Sequence, residues 1–197
     1  MDPSSGGTLS RELVEQAMLG NRDAFAVLVD RAHARLVGAA GLILRDRGWA
    51  EDAAQDALVR AWRDLPSLRD ADRFDAWLHR LLVRACQDQL RRHRHELTEL
   101  DLKPTIARAF ADGGARLEDR DELERGLQRL TDQQRTIIAL RYFLGLSDSE
   151  VATATGLPIG TVKSRLFRAL ESLRAALAAE ARGESARHSR PAGEGMS

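Results

Sequence analysis

The sequence predicts an all-α protein of two small helical domains, an N-terminal helical bundle and a C-terminal four-helix domain ending in a helix-turn-helix, joined by a flexible linker. Three observations lead there. Apolar residues recur at spacings of three and four over most of the chain, and no window alternates convincingly with period two. Two boxes of the form Ser/Thr-x-x-Glu/Gln, Thr131 to Gln134 and Ser147 to Glu150, announce helix starts in the C-terminal part. Between the two periodic regions, residues 96–120 carry few large apolar side chains and include Pro104 and the Gly113-Gly114 pair.

Composition narrows the function. A chain of 197 residues holds one large domain or two small ones. Its 30 basic and 30 acidic residues cancel, so no global field draws in nucleic acid and any such site must be local. The single cysteine, Cys86, excludes an internal disulfide framework and a cysteine-rich zinc site. No apolar run approaches the length of a membrane span, and the N-terminus MDPSSGGTLS lacks the apolar core of a signal peptide. The expectation is a soluble, cytoplasmic protein with no membrane span.

In chain order, residues 1–9 are small and polar and read as a disordered leader. The N-terminal domain, 10–95, opens with a short helix from Ser10 to Met18. Asn21 can cap the next helix, whose apolar side carries Phe25, Leu28, Val29, Ala32, Leu36, Ala40 and Leu44. Arg45 to Trp49 reads as a turn with Gly48 as breaker. A third helix runs from about Glu51 to Asp64, with Ala53, Ala57, Leu58, Ala61, Trp62 and Leu65 inward and Asp52, Gln55, Asp56, Arg60 and Arg63 outward. Pro66 ends it, because the residue before a proline is pushed out of the helical region. A charged loop, Leu68 to Arg73, leads to a helix opened by Phe74, with Phe74, Trp77, Leu78, Leu81, Leu82, Ala85 and Leu90 on its apolar side and Arg91, Arg92, His93, Arg94 and His95 at its end. Trp62 and Trp77 read as packing residues, and Cys86 as a small core residue.

After the linker, in which Ile106 to Ala111 reads as a short helix, comes the C-terminal domain, 121–181. Leu123, Leu127 and Leu130 line its first helix; Thr131 launches a second that buries Ile137, Ile138, Leu140 and Phe143. In the Ser147 box the hydroxyl can accept from the Glu150 amide while the Glu150 carboxylate answers the Ser147 amide. Gly156 stops that helix in the left-handed conformation, and Pro158 sets φ for the next entry. The last helix buries Val162, Leu166, Leu170, Leu173 and Leu177 and presents Lys163, Ser164, Phe167 and Arg168, with Arg165 at the edge. A short helix, a glycine turn and a longer helix with basic and hydroxyl residues near its start form a helix-turn-helix, whose N-terminal part can enter a major groove. Residues 182–197, small and polar with proline and glycine, read as a disordered tail.

Catalysis finds no home here: there is no Gly-rich phosphate loop, no nucleophile elbow and no His-Glu-x-x-His. His93 and His95 share a helix but face different ways, which disfavours a metal site.

GTVKSRLFRALESLR (residues 160–174) resembles the −35-reading domain of extracytoplasmic-function (ECF) sigma factors of bacterial RNA polymerase, in the sigma-70 family. AEDAAQDALVRAW, RFDAWLHRLL and DQLRR, over 50–92, resemble the N-terminal core domain of the same family, in the family's order. The resemblance implies an alternative sigma factor, not an enzyme and without a cofactor. It would bind the clamp helices of the largest polymerase subunit and the flap of the second-largest, read −35 and −10 promoter elements, favour melting, and answer to an anti-sigma factor. Asp52, Gln55, Asp56 and Arg60 match the core-polymerase surface. Arg69, Asp70, Arg73, Phe74, Arg84, Asp88, Arg91 and Arg92 fall in the −10 region, the loop to Phe74 corresponding to the segment that holds a flipped base. Thr161, Lys163, Ser164, Arg165, Phe167 and Arg168 fall at the −35 site. Arg84 departs from the asparagine the family commonly carries there; it is either a base contact or a solvated edge residue whose stem covers apolar surface. Two other readings stay open: a stand-alone helix-turn-helix regulator, which leaves the 50–62 match unexplained, and a helical adaptor, which leaves the basic helix unexplained.

Overall fold

The computed structural model describes residues 4–93, 123 and 125–188, with side chains placed over 11–93, 123 and 125–178. Among the described residues every regular element is helical. Helices α1 (Ser4–Met18), α2 (Arg22–Leu44), α3 (Arg47–Asp64) and α4 (Phe74–Arg92) form an N-terminal unit, with tight 3-10 turns at Leu65–Ser67 and Ala71–Arg73 between α3 and α4. Residues 125–128 are helical and lead into α5 (Asp132–Ile138), a π-helical turn (Ala139–Phe143), α6 (Asp148–Thr155) and α7 (Ile159–His188). The linker, with the short helix expected near Ile106, lies outside the described residues.

Local chemistry sets most boundaries. The Asn21 side chain accepts from the amides of Asp23 and Ala24 at 3.0 and 3.1 Å, starting α2. Both capping boxes close in both directions, at Thr131–Gln134 and Ser147–Glu150. Gly156 ends α6 at φ 71°, and Pro66 sits in the turn that follows α3.

Three boundaries differ from the sequence reading. The leader is not irregular throughout, since α1 already begins at Ser4. Gly48 does not break the chain: Asp46 caps α3 by accepting from the Trp49 amide at 2.8 Å, so Gly48 lies in the first helical turn and Arg45 takes the left-handed turn at φ 62°. The last helix runs to His188, past the expected start of a disordered tail. Both extensions follow from helix cooperativity: once a helix is nucleated by packing, each added residue gains a hydrogen bond for the dihedrals it fixes. An interior glycine such as Gly183 costs only ~1 kcal/mol.

In the N-terminal unit α2, α3 and α4 pack mutually and α1 lies against α2. Small residues let α3 approach closely, since Ala50, Ala53, Ala54, Ala57 and Ala61 are all buried. Trp62 meets Phe25 at 4.9 Å between ring centroids, as a packing residue. The core does not end at this unit. α2 also packs against α5 and the π-turn, and α4 against α6, so one cluster of buried residues runs through both units. This is why every residue of α2 from Ala39 to Leu44 is buried, whereas a surface helix would bury one stripe.

Candidate nucleic-acid interface

α6, the Gly156 turn and α7 make the helix-turn-helix. Val162 and Ala169 are fully buried, with Leu166, Leu170 and Leu173 half-buried beside them. That fixes the rotation of α7 and leaves Lys163, Ser164, Phe167 and Arg168 exposed, Phe167 by 60%. Arg165 lies at the edge, as the spacing predicts, and Thr161, in the first turn, is likewise half-buried. The Ser164 hydroxyl donates to the Thr161 carbonyl at 3.1 Å and keeps its lone pairs for a further donor. The Pro158 carbonyl accepts from the Thr161 and Val162 amides, so the first turn of α7 is closed on itself. An exposed basic and aromatic strip on one face of a helix whose opposite face is locked in a core can lie in a major groove.

On the other unit the residues assigned to −10 DNA separate. Arg69 and Arg73 are exposed in the loop before α4. Asp70 caps the second 3-10 turn by accepting from the Asp72 amide at 3.1 Å and pairs with Arg73 at 3.2 Å. Asp72 is in turn held by Arg11 of α1 at 2.8 Å, so the loop is tied down from a third element. Phe74 is only 4% exposed and packed 6.0 Å from Trp77, on the apolar side where the helical spacing sets it; of the residues assigned to the −10 region it is the one that supports the loop from beneath rather than standing on its surface. Arg84 is exposed and carries no ion pair among the described residues. It stands ten residues along α4 from Phe74, ~15 Å at 1.5 Å per residue, so it and the loop stand at separate places on the unit's surface. Arg91 and Arg92 are exposed in the last turn, where cations also offset the helix dipole.

Asp88 lies between these groups and the expected polymerase face. Its carboxylate takes Arg60 Nη2 at 2.9 Å and also pairs with Arg91, while Arg60 pairs with Asp56 at 2.6 Å. Burial pushes the Asp88 carboxyl up, and the two guanidiniums more than offset it, leaving it below its ordinary range. The residues expected to meet polymerase and the basic end of α4 thus line one open groove, with Asp52, Gln55, Asp56 and Arg60 on one side and Asp88, Arg91 and Arg92 on the other. The spacing within each helix gave no sign of this bridge, because it joins residues 28 apart in the chain. Val59, 60% exposed in the middle of the charged α3 face, also escaped the sequence reading; an exposed valine there gives a polar-rimmed surface an apolar centre.

Of the remaining candidates, Cys86 is buried, and burial pushes its thiol up to about 12, which keeps it protonated and inert. His79 is half-buried, and burial holds its imidazole below its ordinary pKa against the opposing pull of Asp75 and Glu150. No described helix is long and apolar enough to cross a membrane.

Comparison with known proteins follows the same division. The family model described as Sigma-70 region 2 matches residues 28–96, and that described as Sigma-70, region 4 matches residues 120–173. RNA polymerase sigma-H factor of Pseudomonas aeruginosa is 32% identical over 180 residues, covering 85% of this chain and 93% of the relative. ECF RNA polymerase sigma factor SigM of Mycobacterium tuberculosis is 38% identical over 160 residues, covering 80% and 79%. Among solved structures, CnrH in complex with the cytosolic domain of CnrY is 30% identical, with a TM-score of 0.64 over 87% of this chain and 98% of that one. RpoE in complex with the anti-sigma factor NepR, from Bartonella quintana, is 28% identical, with a TM-score of 0.65 over 78% and 96%.

Proposed function

The chain belongs to the sigma-70 family, in its ECF branch, and from that premise we propose how its two units divide the work of an alternative sigma factor. It is a DNA-binding regulatory subunit that lets core RNA polymerase start transcription at its own promoters. Its place of work is the cytoplasm, with the polymerase. The supporting observation is the pairing of two family regions, in order, with a recognition helix whose buried Val162 and Ala169 turn Lys163, Ser164, Phe167 and Arg168 outward.

The C-terminal unit, 121–181, docks on duplex −35 DNA through that strip, with Thr161 and Arg165 at its margins. The N-terminal unit, 10–95, binds the clamp helices through Asp52, Gln55, Asp56 and Arg60 around Val59. It captures unpaired −10 bases at Arg69, Asp70 and Arg73, and holds the strand by Arg84, Arg91 and Arg92. Asp88 orients Arg60 and Arg91, and Phe74 underpins the loop. Each base step opened costs ~1.4 kcal/mol of stacking, which captured bases offset. The flap of the second-largest subunit is the partner of the C-terminal unit. Since CnrH and RpoE were solved with CnrY and with the anti-sigma factor NepR, an anti-sigma factor is a partner here as well. Reconstitution with core polymerase on the protein's own upstream promoter tests the whole scheme; no promoter-specific transcript would refute it, and a stand-alone regulator would bind the DNA without needing polymerase.

Two residue-level tests fall within it. Charge reversal, Asp52→Lys with Asp56→Lys, sets like charges where opposite ones met, and should weaken core binding by about 100-fold. Helicity should persist, since neither side chain is buried. Undiminished binding in a pull-down would move the interface off α3. Arg84→Asn should alter which −10 bases are preferred, because arginine only donates and favours acceptor-rich edges such as guanine. Open-complex formation on promoters randomised in the −10 element reads this out; an unchanged preference would leave Arg84 as a solvated edge residue.

A further inference from the structure

The loop assigned to the −10 bases is fastened by two sets of contacts. Leu65, Ala71 and Phe74 are buried and anchor the 3-10 turns at its ends. The second fastening comes from α1, which packs against both turns. Val14 and Ala17 of α1 are buried, so the rotation of that helix is set, and it carries exposed Arg11 to the loop. There Arg11 Nη1 donates to the Asp72 carboxylate at 2.8 Å, while its Nε donates at 2.9 Å to Glu15, one turn along the same helix. The rigid fork of a guanidinium lets one side chain meet both carboxylates in fixed directions. Asp70, the loop's other carboxylate, already accepts from the Asp72 amide and pairs with Arg73. Among the described residues Arg11 is the one ion-pair partner of Asp72, and Arg69 has none.

We propose that Arg11 is a positioning residue for promoter opening: by holding Asp72, it makes α1 set the shape and the charge of the loop that captures the −10 base. The proposal rests on the sigma-factor reading of that loop. Two physical effects follow from the tie. With both turns anchored and Asp72 held, only the short span Leu68 to Asp70 remains to be ordered when a base enters. A loop already in its binding shape loses less entropy on binding. The second effect is electrostatic. An unpaired Asp72 stands next to Arg73 and three residues from Arg69, and would compete with phosphate for both guanidiniums. It would also repel the strand itself, within the ~8 Å over which charges act at physiological salt. Arg11 removes that competitor and leaves Arg69 free for the DNA. The side chains of the pair are 53% and 61% exposed, so its effect is that of a surface ion pair, about two- to five-fold in an equilibrium constant.

The test uses the full chain with core polymerase, on promoters randomised in the −10 element. Arg11→Ala should lower open-complex formation about three-fold and flatten the preference at the base the loop holds. The loss should shrink as added salt screens the pair. Binding to core polymerase and to a −35 duplex should not change. The melting temperature should stay within a degree or two, because Arg11 is exposed and alanine is a good helix former. Arg11→Glu should lose more, since it gathers a third carboxylate beside Glu15 and Asp72. Adding Asp72→Arg to that variant remakes the pair with its charges exchanged, and should restore both opening and base preference. Unchanged opening and preference in Arg11→Ala would overturn the proposal. So would a loss that the exchanged pair does not restore, since Arg11 would then be a direct contact to the strand. Arg69→Ala is the reference for the loop itself: if it too leaves the −10 preference unchanged, the loop holds no base, and the reading on which Arg11's role rests falls with it.

Discussion

Val162→Asp should abolish duplex binding, although residue 162 touches no DNA. Its side chain is fully buried between α7 and the rest of the C-terminal unit. A carboxylate there has no partner, and an unpaired buried charge costs several kcal/mol even after relaxation, or the group takes up a proton and remains an unsatisfied polar atom. Lost apolar burial adds ~1.5–3 kcal/mol. The sum approaches the ~5–15 kcal/mol that holds a typical domain together. The expected result is early melting of the C-terminal unit by circular dichroism and no binding to a −35 duplex, while the N-terminal unit still binds core polymerase. Lys163→Ala, one residue on, should leave the melting temperature within a degree or two, because residue 163 is exposed and alanine is a better helix former. Equal melting of the two variants would show that the assigned rotation of α7 is wrong.

The second large effect concerns affinity alone. Arg168→Ala should cost ~1–3 kcal/mol of binding, with specificity relaxed at one base position, since a guanidinium bridging the acceptors of a guanine discriminates against the other bases by that amount. Lys163→Ala should lower affinity evenly over all sequences and reduce the salt slope by about one, as for a residue that neutralises a phosphate. Titrations of both variants against single-base variants of the −35 duplex at several salt concentrations separate these roles. If both variants match the parent on every duplex, the strip on α7 does not read DNA.

The two helices of the helix-turn-helix were legible in the sequence because their determinants are local. Each capping box closes within three residues, Gly156 needs only its own φ, and the alternation of Val162 in and Lys163 out follows from 3.6 residues per turn. The same holds for Asn21 as a cap, whereas Leu65, the residue before Pro66, keeps helical angles (φ −54°, ψ −39°) instead of being pushed out, and α3 tightens into a 3-10 turn there. The chemical character of the faces, charged on α3 and basic with an aromatic on α7, can likewise be read from residue types at helical spacing.

Only the tertiary structure decided what lies far apart in the chain. Arg11 reaches across from α1 to Asp72 in the loop before α4, a tie between residues 61 apart in the chain. Arg135 looks like any cation in an amphipathic helix, and is buried because the Ile43 carbonyl, 92 residues away, stands open at the end of α2. Asp88 and Arg60 sit on helices whose separate patterns say nothing of their pairing. Gly38 gives no local reason for being glycine until Phe143 is set against it. By itself the sequence determined most of the helices, several of their caps, the residue types on their faces and the family. The seating of one unit on the other was settled by side chains that meet only after both have folded, through contacts that no helical period encodes.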